Sequence, residues 1–318
     1  MCYGKFSFGV AVCSCILVAS TPISFAQNLE GAHFDSTAIR QQVPYSPSGN
    51  IPSNPNDEYL PKWYDMIGRI PGDWFEFSRE TVQLNNIPTI VGVAGLTAAL
   101  VVVDRQWWWT EKKWYSESPN FRGFSDWMNL TFDGRIEFGI VGGFAACGFL
   151  FEDARALRTA SQTTEAILAC GGVVQLLKCA SGRESPLYST ARTGKWDFFP
   201  DHAEYSKTVQ RYDAFPSGHL STAMATLIVI AENYPELTWL KPAGYVVLTA
   251  VASSLVACGV HWWSDYPLAL VLGYTFGQIA AHPLGMVLAE KKSGTDTKIS
   301  LTPAAFPGGA GLGVLISF

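Results

Sequence analysis

Six apolar runs, each long enough for several helical turns, follow one another along the chain. Each run is bounded by polar residues, glycine or proline, which predicts helices rather than strands. The six runs are Ile87 to Val103, Phe138 to Phe151, Thr163 to Leu177, Leu220 to Ile230, Pro242 to Val260 and Tyr266 to Ala289. We therefore expect an all-α domain over residues 87–290.

The stretches outside these runs have other patterns. Residues 27–86 are rich in Pro, Ser, Asn and Gln and show no sustained period, which predicts an irregular segment with a short helix near Trp63 to Ile70. The polar interval Ala180 to Phe215 has the character of a lid or substrate loop. In residues 291–318, apolar residues alternate after a Pro-Gly-Gly turn, which predicts a β-hairpin.

The first 26 residues resemble a secretory signal. Met1 to Ala26 has one lysine near its start, an apolar stretch from Phe8 to Ser20, and a small-x-small site at Ser24-Phe25-Ala26. The apolar stretch is shorter than the ~20 residues that a membrane span needs. We expect cleavage and export to the periplasm or cell envelope, the alternative being a retained membrane anchor.

Composition makes membrane contact a real possibility and argues against nucleic acid. Apolar residues make up 48% of the chain and charged residues 15%, against about 25% charged in soluble domains. Only the last two runs reach ~20 apolar residues, so a spanning bundle and a soluble exported bundle both stay open. The cluster Trp107-Trp108-Trp109 suits either a lipid interface or helix packing. The net charge of −5 and the lack of a clustered basic face exclude a nucleic-acid partner.

The stretch that carries chemistry is Pro216-Ser217-Gly218-His219, directly before the run that begins at Leu220. A serine cap and glycine at a helix start bring free backbone N–H groups and the positive end of the helix dipole to one point. That point suits a phosphate. His219, in the first turn, can give a proton to a bound oxygen.

Two further stretches end neighbouring runs. One begins at Lys178 and continues through Arg183 to Pro186, and the other begins at Ser254 and contains His261 and Asp265. His261 and Asp265 are four residues apart, so on a helix they share a face, and the carboxylate can hold one imidazole N–H and leave the other nitrogen as a nucleophile.

These three stretches, in this order, resemble the motifs of the type 2 phosphatidic acid phosphatase and vanadium haloperoxidase superfamily. The resemblance covers roughly residues 88–285 and implies a six-helix bundle. It also implies that His261 forms a phosphohistidine, that Asp265 orients it and that His219 is the general acid. The phosphate oxygens would be held by Lys178, Arg183, Ser217 and the Gly218 N–H. No metal or other cofactor is expected, since cationic side chains neutralise the phosphate.

Two arginines of the family pattern are missing, because Ser185 and Leu255 stand in their places. Arg183, with Arg192 or Arg211 from the polar interval, is expected to compensate. Three hypotheses follow. The first is a phosphatase acting on a phosphorylated lipid or another phosphomonoester or diphosphate. The second is a catalytically weak or inactive protein that binds anionic lipid, and the third is a vanadate-dependent haloperoxidase.

Overall fold

The computed structural model describes residues 61–62 and 64–282, together with the backbone of 298–306 and 309–317. The predicted signal, Met1 to Ala26, lies outside these residues. The helices, in chain order, are α1 (Asp65–Gly68), α2 (Ile70–Thr81), α3 (Ile87–Glu117), α4 (Pro119–Thr131), α5 (Arg135–Phe151), α6 (Ala154–Ser181), α7 (His202–Lys207), α8 (Val209–Tyr212), α9 (Gly218–Asn233), α10 (Leu240–Cys258) and α11 (Tyr266–Ala281). The expected all-α class is confirmed for the part of the chain that holds the candidate site.

Each of the six predicted runs has a helix at its place, but boundaries differ from expectation: α10 ends at Cys258, before Val260, and α11 ends at Ala281. Helix α3 does not stop near Val103 and continues through polar residues to Glu117. The amphipathic α4, which begins at Pro119 with the Ser118 hydroxyl accepting from the Phe121 N–H at 3.3 Å, was not expected. An amphipathic helix of mixed composition has no long apolar run, so a search for such runs misses it.

The N-terminal segment is more ordered than its pattern predicts. The expected short helix near Trp63 to Ile70 corresponds to α1, but α2 follows it and reaches Thr81. The indole N–H of Trp74 donates to the Ala169 carbonyl of α6 at 2.9 Å. Helix α2 therefore packs on the bundle, and this contact contributes to its stability.

Helix α9 lies at the centre of the helical domain. It packs against α11, α6 and α10, and α6 in turn packs against α5 and α11. The main core is formed by buried apolar residues of α9, α10 and α11, including Leu220, Ile228, Val251, Leu255 and Ala269. Full burial of each large aliphatic side chain contributes about 1.5–3 kcal/mol, so this core holds the helix ends that carry the three motifs.

Glycines set the close approach of α9 and α11. A Cβ added at Gly273 would lie 2.2 Å from the Ser221 carbonyl oxygen and 2.8 Å from the Met224 Cβ. One turn later, a Cβ at Gly277 would lie 2.7 Å from the Cβ of Ile228. The backbone of α11 at these two glycines therefore packs directly against α9, and a larger residue does not fit at either position.

Of the helices in the described part of the chain, three are long and apolar enough to cross a membrane, namely α3, α6 and α10. Helices α4 and α5, bent by 57° at their junction, add a fourth candidate if they are taken as one span. Only 6% of the apolar part of α3 is buried inside the protein. These surfaces are compatible with membrane association. The last apolar run is not among the three, since α11 ends at Ala281 and residues 283–289 lie outside the description.

Two strands stand at the C-terminus, where the alternating pattern predicts a hairpin. Strands β1 (Lys298–Phe306) and β2 (Gly309–Ser317) are assigned as an antiparallel pair, with Ile299 opposite Ile316. Pro307-Gly308, between the strands, and the terminal Phe318 lie outside the described residues.

We predict that Gly273→Ala destabilises the protein by about 1–3 kcal/mol, because the new methyl group pushes α9 away from α11. The control is Gly171→Ala on α6, where an added Cβ has no atom within 4 Å. That change should be neutral or stabilise by up to about 1 kcal/mol through helix propensity. Thermal unfolding followed by circular dichroism compares the two. Equal midpoints for both variants would contradict the close packing described here.

Candidate active site

The N-terminus of α9 is capped as the sequence predicts. The Ser217 hydroxyl accepts from the Leu220 N–H at 3.4 Å, and Gly218 is the first residue of the helix. The Ser217 N–H donates to the Asp265 carbonyl at 3.2 Å, which ties this motif to the third one. The hydroxyl of Ser217 therefore serves the helix cap, and the first-turn N–H groups present the positive dipole end to the site.

Lys178 brings the first motif to the same place. It is buried in the last turn of α6, and its Nζ lies 2.8 Å from Asp213 Oδ1. A Cβ added at Gly218 would lie 3.6 Å from this Nζ, so the ammonium group is next to the start of α9. The lysine and the helix terminus thus form one positive corner, with Asp213 as its present counter-charge.

His219 and His261 face each other across this corner. His219 Nδ1 lies 3.3 Å from His261 Nε2. His261 Nδ1 lies 2.8 Å from the Ala214 carbonyl oxygen, which can only accept. His261 therefore carries its proton on Nδ1 when neutral, which leaves the Nε2 lone pair turned toward His219.

Asp265 lies beside His261 but has other principal partners. Its Oδ2 is 3.5 Å from His261 Nδ1 and accepts from the Trp262 N–H at 2.7 Å. The expectation that this carboxylate takes the imidazole N–H is replaced by the shorter contact to Ala214. The reason is local: residues Trp263–Asp265 form a 3₁₀ turn and α11 begins only at Tyr266, so the two side chains do not have helical i, i+4 geometry.

Arg183 has partners that differ from the expected phosphate. Its guanidinium group is fully buried. One nitrogen donates to Asp265 Oδ1 at 2.5 Å and to the Ser264 hydroxyl at 2.6 Å. The other donates to Asp104 Oδ2 at 2.9 Å and to the Thr193 carbonyl at 3.0 Å. The indoles of Trp196 and Trp262 lie 4.7 and 5.6 Å from its central carbon. Both terminal nitrogens are thus engaged within the protein, behind His261.

Asp104 is the functional residue that the sequence pattern does not reveal. It lies in the middle of α3, is fully buried, and accepts from the Ser264 N–H at 3.1 Å as well as from Arg183 and the Ser264 hydroxyl. The only available signal is a single carboxylate at the end of an apolar run. Nearby, Trp108 of the tryptophan cluster packs edge-on against Trp262 at 5.8 Å, whereas Trp109 is half exposed.

The polar interval after α6, Ala180 to Phe215, contains both buried and solvent-exposed side chains. Glu184 is buried and accepts from the Thr190 N–H, the Lys195 N–H and the Thr190 hydroxyl. Arg211 lies 3.4 Å from Glu184, while Arg192 and Lys195 are exposed. Both arginines were expected to substitute for the missing ones. Arg211 is instead paired with Glu184, and Arg192 is exposed to solvent. The side chain of His202, in the same interval, is outside the description.

The two family arginine positions are filled by residues with structural roles. Leu255 is fully buried in the main core, and Ser185 is buried where the chain passes into the turn Pro186–Tyr188. Neither residue carries a charge that phosphate could use. The positive groups at the site are therefore Lys178 and the N-terminus of α9.

Burial governs the titration of the site. It lowers the pKa of His219 and of His261 to about 3, with Lys178 acting in the same direction for both. It raises the pKa of the Asp265 carboxyl to about 6, against the opposing effect of Arg183. Both imidazoles are therefore neutral at pH 7, so a nucleophilic role of His261 would need no loss of a proton, whereas an acidic role of His219 would need a proton gained on ligand binding.

Comparison with known families agrees with this geometry. Residues 161–285 match the family model of the PAP2 superfamily, and this segment contains all three motifs. The predicted resemblance to this superfamily is confirmed over that segment, and it suggests phosphatase-type activity. Neither the characterised proteins nor the solved structures compared with the chain gave a match.

We predict that Arg183→Lys lowers the free energy of unfolding by about 1.5–3 kcal/mol, since one ammonium group cannot replace the planar fork between Asp104 and Asp265. Arg192→Lys is the matched control. It changes an exposed side chain of the same interval and should stay within about 0.5 kcal/mol of wild type. Denaturant unfolding measures both. An Arg183→Lys protein as stable as the control would show that the buried fork is unimportant.

Proposed function

We propose that the protein is a phosphatase that hydrolyses a phosphorylated lipid, or another phosphomonoester or diphosphate, through a phosphohistidine at His261. The observation that carries this proposal is the pair of imidazoles, with His261 Nδ1 held by Ala214 at 2.8 Å and Nε2 facing His219 at 3.3 Å. An imidazole held at one nitrogen and open at the other, next to a second imidazole and a positive corner, has the parts that phosphoryl transfer needs.

The first half-reaction forms the phosphoenzyme. The lone pair of His261 Nε2 attacks phosphorus and the bond from phosphorus to the leaving oxygen breaks. Protonated His219 gives its proton to that oxygen. Lys178 and the first-turn N–H groups of α9 neutralise the negative charge of the phosphoryl oxygens. The phosphoryl group competes for Lys178 with Asp213, which pairs with the lysine in this structure.

The second half-reaction releases phosphate and leaves His219 protonated, as it is at the start of the first half-reaction. Neutral His219 takes a proton from a water molecule, the water oxygen attacks phosphorus, and the phosphorus–nitrogen bond breaks to release phosphate. Asp265, 3.5 Å from His261 Nδ1, offsets the positive charge on the phosphorylated imidazole. Charge neutralisation in both steps comes from side chains and the helix terminus, so we propose a metal-independent reaction.

Arg183 is proposed to support the phosphate site indirectly. It holds Asp265 and the turn that positions His261, while Lys178 and Gly218 meet the phosphate. The cost of this arrangement is the loss of the bidentate contacts that an arginine makes with phosphate, each worth about 1.5–3 kcal/mol. This loss supports a second candidate function, a catalytically weak protein that binds anionic lipid at the same corner.

We predict that His261→Ala reduces phosphate release by roughly three orders of magnitude or more, since no other group is placed to attack phosphorus. The substrates are phosphatidic acid in mixed micelles and a soluble aryl phosphate, assayed with and without a chelator. His261→Gln, which retains an amide donor, guards against loss of folding through the unpaired Ala214 carbonyl, and circular dichroism checks the fold of both variants.

His282→Ala is the matched control for this experiment. His282 is half exposed and contacts Glu232 at 3.1 Å, at the opposite end of α9 from His219, so turnover should match wild type. Normal rates in the His261 variants would refute the phosphohistidine. A wild-type protein that binds phosphatidic acid vesicles without turnover would favour the hypothesis of a catalytically weak lipid-binding protein. Bromination that requires added vanadate would favour the hypothesis of a haloperoxidase.

The location of the protein is also proposed. We infer that the chain is exported, with cleavage after Ala26, and that it associates with a membrane through the apolar surfaces of α3, α6 and α10. We predict that N-terminal sequencing of the protein from cell envelopes finds Gln27 as the first residue. A retained Met1 to Ala26 would instead establish the anchor.

A further inference from the structure

A carboxylate outside the three motifs faces the site. Asp133 lies in the turn between α4 and α5, and its Oδ1 is 3.6 Å from His219 Nε2. Phe132 on one side is buried, and Gly134 on the other has a left-handed φ of 79°, so the backbone of the turn is held in place. Asp133 and His219 therefore meet because two distant elements pack together, and no local pattern announces the contact.

The hydrogen-bond partners determine which nitrogen of each imidazole carries the proton. The Ala214 carbonyl accepts from His261 Nδ1, so His261 Nε2 is an acceptor. His219 Nδ1, at 3.3 Å from that acceptor, must be the donor. Neutral His219 thus presents a lone pair at Nε2 to the carboxylate of Asp133. Two acceptors do not form a hydrogen bond, which accounts for the separation of 3.6 Å.

We propose that Asp133 is a positioning residue that pairs with the protonated form of His219 during phosphoryl transfer. The inference rests on the proposed function. When a phosphoryl group occupies His261 Nε2, the contact between the imidazoles is lost and His219 Nδ1–H turns to the leaving oxygen. The second proton, on Nε2, is then donated to Asp133.

This arrangement assigns each proton in the cycle. His219 gives the Nδ1 proton to the leaving oxygen and stays as the Nε2–H tautomer, held by Asp133. Its Nδ1 lone pair is then free to take a proton from the attacking water. Asp133 therefore keeps the reacting nitrogen turned to the substrate in both halves of the reaction.

The surroundings of His219 leave this role to Asp133. His261 and Lys178 oppose a positive charge on His219, and Asp133 favours it. Asp213 is engaged by Lys178. Glu137, one turn beyond Asp133 on α5, is buried and is not among the charged groups that act on His219. The side chain of Asp133 is 63% exposed, so the effect of its removal will be modest.

The test compares Asp133→Asn with Asp133→Glu and with Asp126→Asn, a control on α4 seven residues earlier. The pH dependence of kcat is measured on the full chain with the soluble aryl phosphate. In Asp133→Asn the alkaline limb, where His219 loses its proton, should move down by about 0.5 pH unit, or roughly threefold in rate on that limb. KM should hardly change. Asp133→Glu should restore the wild-type profile, and Asp126→Asn should retain it.

A second measurement separates this inference from the proposed function. Nitrogen-15 NMR of labelled histidines follows the protonation of His219 in the full chain with inorganic phosphate, whether or not the protein turns over. A lower pKa of His219 in Asp133→Asn than in wild type supports the pair. An unchanged pKa, or an unchanged alkaline limb in an active protein, overturns it. Absence of turnover in wild type with an altered His219 pKa would refute the phosphatase and uphold the pair.

Discussion

Arg183 is a buried cation between the carboxylates of Asp104 and Asp265, and the geometry of the site depends on it. Its fork joins the middle of α3 to the turn before α11, and its own backbone follows the end of α6. Removal of Arg183 would leave both carboxylates buried without their cation, which costs about 3–5 kcal/mol. The Ser264 N–H and hydroxyl also bond Asp104, so the turn that carries His261 and Asp265 is held from both sides.

This constraint explains how the site can retain its histidines while lacking two arginines of the family pattern. The place of one arginine is occupied by Leu255 in the core, and the nearby Arg183 is engaged with protein carboxylates. The charge for a phosphate then comes from Lys178 and the α9 terminus. Such a site would make fewer bidentate contacts with a phosphate, so its activity would depend more on the placement of His219 and His261. The carboxylates next to these imidazoles help to set that placement.

The same arrangement relates the site to the apolar surface. Helices α6 and α10 are of spanning length, and both end at the site, α6 with Lys178 and α10 just before His261. Asp104 marks the point on α3 where the apolar half, Ile87 to Val103, gives way to the polar half. The corner formed by Lys178 and the α9 terminus therefore lies at the level where the apolar surface ends, which is compatible with the proposed phosphorylated-lipid substrate.

Much of the fold followed from local pattern. Four of the apolar runs lie within helices, and α10 and α11 cover most of the described part of the other two, because a long apolar run needs helical hydrogen bonding and a buried or lipid-facing surface wherever it is placed. The cap at Ser217 was also predictable from the local pattern, whereas the nearness of Lys178, His219 and His261 was implied by the resemblance of the three motifs to a known superfamily. Helices α2 and α4 escaped prediction, because their stability comes from one amphipathic or packed face.

The sequence by itself determined the helices, the three motifs and the chemistry that their residue types permit. Only the tertiary structure decided how the charges are paired. Asp104 reaches Arg183 across 79 residues, and Asp133 approaches His219 because the turn between α4 and α5 lies beside α9. The acceptor for His261 is a backbone carbonyl at Ala214 and not the carboxylate four residues away. The physical reason is that the strength of a charge or a hydrogen bond depends on burial and on distances of a few ångströms, and packing sets both.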